Sequence, residues 1–90
     1  MRRQKVIIVN PSGLHLKPAG YLCNEAICFR SKISLLNAKG IINAKSVLSV
    51  LAACVKEGDE IEVTCEGPDE EEALQTIVRE IEAGLGEKLL

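Results

Sequence analysis

The single histidine of the chain, His15, stands between a turn-forming segment and an apolar segment with helical spacing. Residues 10–13 (Asn-Pro-Ser-Gly) are typical of a loop, and Pro18 suits the first turn of a helix, where its missing N–H is not needed. His15 is therefore predicted at a helix N-terminus, where free N–H groups bind anions and the helix dipole opposes protonation of the ring. A neutral imidazole is a nucleophile, so this position suits attack on a phosphoryl group.

The residues beside His15 would stabilise a phosphoryl group bound to it. The ammonium of Lys17 would neutralise phosphate oxygens, Ser12 offers a hydroxyl, and Gly13 permits close approach. We assign the same stabilising role to Leu16, at the predicted start of the helix. The alternative is an ordinary surface or capping histidine, because helix starts often carry a polar residue that does no chemistry. Position alone does not decide between the two interpretations.

Seven predicted elements must position this loop. Residues 60–66 alternate polar and apolar with period two, which is typical of a strand with one buried face. The last helix begins with three glutamates that suit the positive end of a helix, and Gly84 and Gly86 end it. The second helix is the least clearly indicated element, because its apolar residues would lie on nearly all sides of the helix instead of on one face. In chain order the predictions are strand 5–9, helix 16–29, strand 31–36, strand 41–43, helix 46–55, strand 60–66 and a helix from 70 to Gly84.

The order of these elements, βαββαβα, predicts an α+β fold. One four-stranded sheet with helices on one face would bury the apolar stripes of all the elements. Ninety residues are enough for one hydrophobic core and too few for two, so we expect a single domain over residues 1–90. The polar face of strand 60–66 is expected to remain in contact with water.

Charge and composition exclude several classes of protein. The net charge of −2 and the lack of a long basic block argue against a nucleic-acid-binding protein. Tyr21 and Phe29 are the only Tyr, Phe or Trp residues, so the chain offers no platform for stacking bases. The apolar run 6–9 behind the basic start is too short for a signal-peptide core or a membrane span. We therefore expect a cytoplasmic protein without membrane insertion.

The four cysteines, at positions 23, 28, 54 and 65, lie in otherwise apolar segments. Their spacing lacks the paired C-x-x-C pattern of zinc and redox sites, so we predict reduced thiols that pack in the core. No metal site and no cofactor are predicted. A self-contained enzyme is also disfavoured, because no second acid, base or set of metal ligands accompanies the single histidine.

The second predicted helix offers a cap and an exposed apolar surface. Ser46 is its predicted N-cap. Val47, Leu48 and Leu51 cannot all face the core if the other apolar residues of the helix do, so an exposed patch is expected beside the His15 loop. Such a patch is typical of a docking site, although core packing would account for about half of these residues.

Three segments resemble the HPr family, the histidine phosphocarriers of the sugar phosphotransferase system. Residues 10–19 (NPSGLHLKPA) are similar to the family's active-centre loop, whose pattern is Gly-Leu/Ile-His-small-Arg-Pro-Ala. Residues 43–48 resemble its regulatory serine segment, and residues 66–70 resemble the start of its last helix. The resemblance covers essentially the whole chain. It implies an open-faced β-sandwich, in which three helices cover one face of four antiparallel strands.

The resemblance also implies a function and partners. His15 would accept a phosphoryl group on its pros nitrogen, the one nearer the backbone, from enzyme I, which is itself charged by phosphoenolpyruvate. It would pass the group to the A domain of a sugar permease, so the chain would be a carrier within a relay. Gly20 and the apolar residues of the second helix would contact both partners. Ser46 would be a regulatory phosphorylation site. An HPr kinase/phosphorylase would modify it, and a catabolite-control transcription factor would bind the modified chain. We expect a monomer.

Two residues depart from the family pattern. Lys17 stands where the family usually has arginine, and an ammonium lacks the planar fork that grips phosphate through two donors. Leu16 stands where a smaller residue is usual. These departures are compatible with a divergent paralogue that has its own partners. Two alternatives to an active carrier stay open: a regulatory HPr-like paralogue that acts mainly through Ser46 and a transcription factor, and a small α+β module that binds a ligand or RNA without chemistry. Retention of His15 favours an active carrier.

Overall fold

The structure, a computed structural model, describes residues 1–89, so residue 90 of the predicted domain lies outside the described residues. Its elements follow the predicted βαββαβα order, which confirms the α+β fold. The strands and helices are β1 (Arg2–Ile7), α1 (Leu16–Ala26), β2 (Lys32–Asn37), β3 (Gly40–Asn43), α2 (Val47–Ala52), β4 (Glu60–Glu66) and α3 (Glu70–Glu82).

The four strands form one antiparallel sheet in the order β1-β4-β2-β3. β4 therefore lies inside the sheet, with Val63 opposite Gln4 of β1 on one side and Leu35 of β2 on the other. α3 packs against β1 and β4, α1 packs against α2 and α3, and α2 contacts β3. The helices thus cover one face of the sheet, which confirms the open-faced sandwich.

The hydrophobic core lies between the sheet and the helices. Alternate residues of β4 contribute to it, because Ile61, Val63 and Cys65 are buried. The other face of this strand differs from the prediction: Thr64 is buried opposite Ser34 instead of remaining in water, because β4 has neighbouring strands on both sides. The helices complete the core with apolar side chains that include Leu22, Val50, Ile77 and Ile81.

Three element boundaries differ clearly from the predictions. β1 covers residues 2–7 instead of 5–9, because its pairing with β4 begins at Arg2 and ends at Ile7. α1 ends at residue 26 and α2 at residue 52, each three residues earlier than predicted. After α2, Cys54 has a φ of +52°, a left-handed conformation that no helix can continue through. The other boundaries agree to within two residues.

The four cysteines have free thiols, but only two of them lie in the core. Cys23 and Cys65 are buried, and this burial raises the pKa of both thiols, that of Cys65 to about 11. Cys28 and Cys54 are exposed, so the prediction of core packing is wrong for these two. Both residues follow the end of a helix, where the chain turns away from the core.

Asp69 ties the start of α3 to the segment between α1 and β2. Its carboxylate accepts hydrogen bonds from the Ser31 hydroxyl (2.5 Å) and from the backbone N–H groups of Arg30 (2.9 Å) and Ser31 (2.9 Å). The Ser31 hydroxyl, followed by the Arg30 N–H, stabilises the charged form and lowers the pKa of Asp69 to about 2. Folding is therefore coupled to ionisation of this carboxylate.

Stability against unfolding is expected to fall in acid through Asp69. Its pKa of about 2 in the folded state lies below the ordinary value of 3.8, so the unfolded state binds this proton first. The stabilisation is complete above the ordinary pKa and is lost as the pH falls towards about 2. Asp69→Asn should therefore flatten this part of the stability curve, measured by urea unfolding at a series of pH values.

Glu57→Gln, a change at an exposed carboxylate, is the control for this measurement and should leave the acid slope unchanged. If the free energy of unfolding of Asp69→Asn fell in acid as steeply as that of the unaltered chain, the assigned role of Asp69 would be contradicted.

Candidate functional site

His15 is the N-cap of α1, with φ −76° and ψ −173°. Its carbonyl accepts a helical hydrogen bond from the N–H of Ala19 (2.7 Å), whereas its side chain caps no N–H within the described residues. The side chain is exposed. A capping histidine would use a ring nitrogen as the acceptor, so capping does not account for this residue. The ring is available for reaction.

The first turn of α1 leaves backbone donors next to His15. Pro18 has no N–H, and the N–H of Ala19 is bonded to the His15 carbonyl. The remaining donors of this turn are the N–H groups of Leu16 and Lys17. A phosphoryl oxygen can therefore be bound through the backbone of Leu16, while the Leu16 side chain, 67% exposed, stays free for other contacts.

The loop before His15 packs closely against the connection between α2 and β4. The N–H of Leu14 donates to the carbonyl of Val55 (2.9 Å), and the Leu14 side chain is buried. Gly13 has a φ of +61°, and a Cβ at this position would lie 2.5 Å from the Val55 oxygen and 2.8 Å from the Cα of Lys56. Glycine fits both this conformation and this approach, and so fixes the path of the chain into His15.

Glu87 binds the same loop from the far end of the chain. Its Oε1 accepts hydrogen bonds from the side-chain amide of Asn10 (2.7 Å) and the backbone N–H of Ser12 (3.1 Å), and its Oε2 accepts one from the Ser12 hydroxyl (2.8 Å). The hydrogen bonds from Asn10 and Ser12 lower the pKa of Glu87. Glu87 was not among the predicted site residues, and it engages the hydroxyl that was expected to contact phosphate.

The segment after α3 brings Glu87 back to the loop. Gly84 and Gly86 have positive φ values of +97° and +83°, and Leu85 between them is buried with a φ of +52°. Gly86 lies against α1, because a Cβ on it would be 3.1 Å from the ring of Tyr21. The two glycines that were predicted to end the last helix therefore also turn the chain onto the face of α1.

One open cleft lies at the N-terminus of α1. The four residues predicted to bind the phosphoryl group meet in it, joined by the carboxylate of Glu87. Lys17 is exposed on the first turn of the helix. The cleft is lined by Ser12, His15, Leu16, Lys17, Pro18, Tyr21, Leu85, Gly86 and Glu87.

Comparison with known proteins identifies the family. The sequence model of the family described as "PTS HPr component phosphorylation site" matches residues 2–83. The chain belongs to the HPr family. HPr proteins are phosphocarriers, and the chain is accordingly a phosphocarrier of the phosphotransferase system, not a self-contained enzyme. The alternative of a small ligand- or RNA-binding module is thereby wrong.

Individual relatives agree with the HPr assignment. The chain is 36% identical over 78 residues to the phosphocarrier protein HPr of Mycoplasma pneumoniae, which covers 86% of this chain and 89% of that protein. It is 45% identical over 83 residues to the multiphosphoryl transfer protein of Vibrio cholerae, covering 89% of this chain but spanning 21% of that longer protein. The crystal structure of HPr-C-His from Thermoanaerobacter tengcongensis has a TM-score of 0.94 and 35% identity, over 99% of this chain and 100% of that one.

The helices of this HPr-family chain present the predicted docking residues unequally. On α2, Leu48 is 80% exposed, whereas Val47 and Leu51 are half-buried and pack against the core. Gly20, on α1, is half-buried with open space where a Cβ would lie. Because α1 and α2 contact each other, the exposed side chains of Leu16 and Leu48 lie on adjacent helices.

Ser46 is the N-cap of α2, as predicted. Its hydroxyl oxygen accepts a hydrogen bond from the N–H of Ser49 (3.2 Å), its backbone is extended with φ −116° and ψ 112°, and the residue is half-buried. In this HPr-family chain Ser46 therefore stabilises α2 directly.

Within residues 1–89, no group of three or more His, Cys, Asp or Glu side chains is arranged to hold a metal ion. The helices of the same part of the chain are all too short or too polar to cross a membrane.

Proposed function

We propose that His15 is the phosphoryl acceptor of this phosphocarrier. One observation carries the proposal: the exposed His15 side chain makes no capping bond within the described residues and shares a cleft with Lys17. The phosphoryl group is assigned to Nδ1, the pros nitrogen. The donor is enzyme I charged by phosphoenolpyruvate, and the acceptors are the A domains of sugar permeases.

The transfer needs one nucleophile and surroundings that stabilise negative charge. The lone pair of His15 Nδ1 attacks phosphorus, the new N–P bond forms as the bond from phosphorus to the donor breaks, and the donor leaves with its electron pair. The N–H groups of Leu16 and Lys17 and the Lys17 ammonium stabilise the charge on the phosphoryl oxygens. The same step with an A domain as nucleophile returns the ring to its free form.

Incubation with enzyme I and labelled phosphoenolpyruvate tests the proposal. The label should appear on the chain and be lost in acid, because the N–P bond of phosphohistidine is labile in acid whereas the ester of phosphoserine is stable. Peptide mapping should place it within residues 10–19. A chain that takes up no acid-labile label would contradict the assignment of His15.

Lys17 is expected to act mainly through its charge. Lys17→Arg should preserve the rate of transfer from enzyme I, whereas Lys17→Glu should slow it roughly ten- to a hundred-fold, the equivalent of a charge-assisted contact worth about 1.5–3 kcal/mol. Initial rates of His15 labelling measure the effect. Lys39→Glu makes the same charge change in the exposed β2–β3 turn and should leave the rate unaltered. An unchanged rate in Lys17→Glu would show that the backbone N–H groups suffice.

We assign the docking of both partners to the exposed faces of α1 and α2. Leu16 and Leu48 are the apolar anchors, and the half-buried Val47 and Leu51 support Leu48 from the core side. The open space at Gly20 allows a partner side chain to approach α1. A carrier must bind and release its partners quickly, which suits a small interface with few anchors.

We also propose that Ser46 is a regulatory phosphorylation site, modified by an HPr kinase/phosphorylase and read by a catabolite-control transcription factor. Its position at the positive end of α2 tolerates an added phosphate, so unfolding is not the expected mechanism. The neighbouring Leu48 is exposed. A hydrated charge of about −2 beside this anchor would oppose burial of the apolar surface by a partner.

Ser46→Asp is expected to slow labelling of His15 by enzyme I several-fold without lowering the thermal midpoint. The aspartate keeps an oxygen that can accept the Ser49 N–H and adds one negative charge. Ser46→Asn is the matched control, because it keeps a capping oxygen without the charge. Initial rates and thermal midpoints of the three chains measure the effect. Equal rates for the Asp and Asn variants would leave Ser46 with its capping role alone.

We further propose that the chain acts in the cytoplasm as a monomer and that residues 1–90 form one domain. The free thiols of all four cysteines suit a reducing compartment. A monomer leaves the docking face open to donor and acceptor in turn. Elution at the monomer volume in gel filtration, before and after phosphorylation, is the result that supports this.

A further inference from the structure

The hydrogen-bond donors on one side of the cleft are already occupied by an anion from the chain itself. The Glu87 carboxylate accepts the backbone N–H of Ser12 (3.1 Å), the Ser12 hydroxyl (2.8 Å) and the side-chain amide of Asn10 (2.7 Å). A phosphoryl group on His15 carries the same kind of oxygen atoms and enters the same cleft. The N–H and the hydroxyl of Ser12, which lines the cleft, are therefore donors that both the carboxylate and the phosphoryl group can use.

We propose that Glu87 is an internal competitor of the phosphoryl group, bound to Ser12 when His15 is free and displaced when His15 is phosphorylated. This inference rests on the proposed role of His15 as acceptor. Glu87 thereby acts as a positioning residue, which holds the loop ready in the free carrier and raises the free energy of the phosphorylated one. A carrier with this property gives up its phosphoryl group more readily.

Electrostatic repulsion disfavours simultaneous occupancy of the cleft by the Glu87 carboxylate and a phosphoryl group. The hydrogen bonds from Asn10 and Ser12 keep the pKa of Glu87 below its ordinary value, so the carboxylate is charged at neutral pH. A positive charge on the His15 ring also lowers the pKa of Glu87. The side chains of His15 and Glu87 are therefore close enough to interact electrostatically. Before transfer, the His15 ring either attracts the Glu87 carboxylate or is neutral towards it. After transfer, the ring carries a phosphoryl group of charge about −2, which repels that carboxylate.

The segment that carries Glu87 can release it without disturbing the core. Leu85 is buried and anchors the chain, whereas Gly86, with a φ of +83°, follows it at the surface. The Glu87 N–H donates to the carbonyl of Gly84 (3.0 Å), and this bond can persist if the side chain alone swings away. Displacement therefore needs only a change beyond residue 85.

The test measures the equilibrium of His15 phosphorylation at a fixed ratio of phosphoenolpyruvate to pyruvate, with enzyme I as catalyst. Glu87→Gln keeps the size and the acceptor oxygen but removes the charge, and should shift the equilibrium about tenfold towards the phosphorylated chain, the difference between a charge-assisted and a neutral hydrogen bond. Glu82→Gln makes the same charge change at an exposed position of α3 and should match the unaltered chain.

A second readout follows the contact directly. In the unaltered chain, phosphorylation should change the amide resonance of Ser12 and the side-chain carboxyl resonance of Glu87 by NMR, and in Glu87→Gln the Ser12 amide should already differ before phosphorylation. Labelling of His15 with equal equilibria for Glu87→Gln and the unaltered chain would overturn the inference and leave the proposed function standing. Absence of any His15 label in the unaltered chain would overturn both.

Discussion

His15→Ala is expected to carry no acid-labile phosphate after incubation with enzyme I and phosphoenolpyruvate. His15 is the single histidine of the chain, so the variant retains no imidazole that could form the N–P bond. The rate of labelling should fall below detection, because a carrier without its nucleophile keeps only the surroundings that stabilise charge. The effect is measured as the amount of label bound to the purified chain before and after acid treatment.

The variant should nevertheless fold normally. The His15 side chain is exposed and makes no capping hydrogen bond within residues 1–89, so its removal costs neither packing nor a cap. The thermal midpoint of His15→Ala should therefore match that of the unaltered chain, and His15→Asn, which restores a polar side chain, should behave in the same way. Acid-labile label that persists on His15→Ala would rule out His15 as the acceptor.

Gly13→Ala is expected to destabilise the fold by more than about 2 kcal/mol and to lower the thermal midpoint by roughly 8–16 °C. The alanine Cβ would lie 2.5 Å from the Val55 carbonyl oxygen and 2.8 Å from the Cα of Lys56, both of them backbone atoms that cannot rotate away. The φ of +61° adds the strain of a left-handed conformation. Thermal and urea unfolding measure the loss.

Gly58→Ala separates the clash at Gly13 from the backbone strain. Gly58 also has a positive φ, +88°, but a Cβ on it would meet no atom within 4 Å. It should therefore show the cost of the backbone conformation alone, and the difference between the two variants gives the cost of the contact with Val55. Equal losses in the two variants would mean that the loop can move away from the α2–β4 connection.

The element order could be predicted from the sequence because each pattern is local. The alternation over residues 60–66 and the glutamates at the start of α3 identify their elements without any knowledge of the partners. The limits of β1 could not be predicted in this way, because residues 2–4 are polar and become a strand through their pairing with β4. The exposure of Cys28 and Cys54 could not be predicted from local pattern either. In both cases the apolar pattern of the sequence continues past the residue at which the helix ends and the chain turns away from the core.

The candidate site could be predicted only as far as it is local. His15, Leu16 and Lys17 are neighbours in sequence, and their helix start is recognisable from Pro18 and the loop before it. Glu87 contacts Ser12 across a sequence separation of 75 residues, and no pattern near either residue indicates the pairing. The one sign in the sequence is the Gly-Leu-Gly segment just before Glu87, which permits the sharp return of the chain.

The strand order of the sheet determines at which stage of synthesis on the ribosome the His15 cleft can form. β1 pairs with β4, so the first strand has no partner until the ribosome has added residues 60–66. The His15 loop also awaits the carbonyl of Val55 and the carboxylate of Glu87. Pairings that close such long loops form late in folding. A growing chain that already exposes its histidine thus offers no finished cleft, and the cleft is complete only after Glu87 has been added.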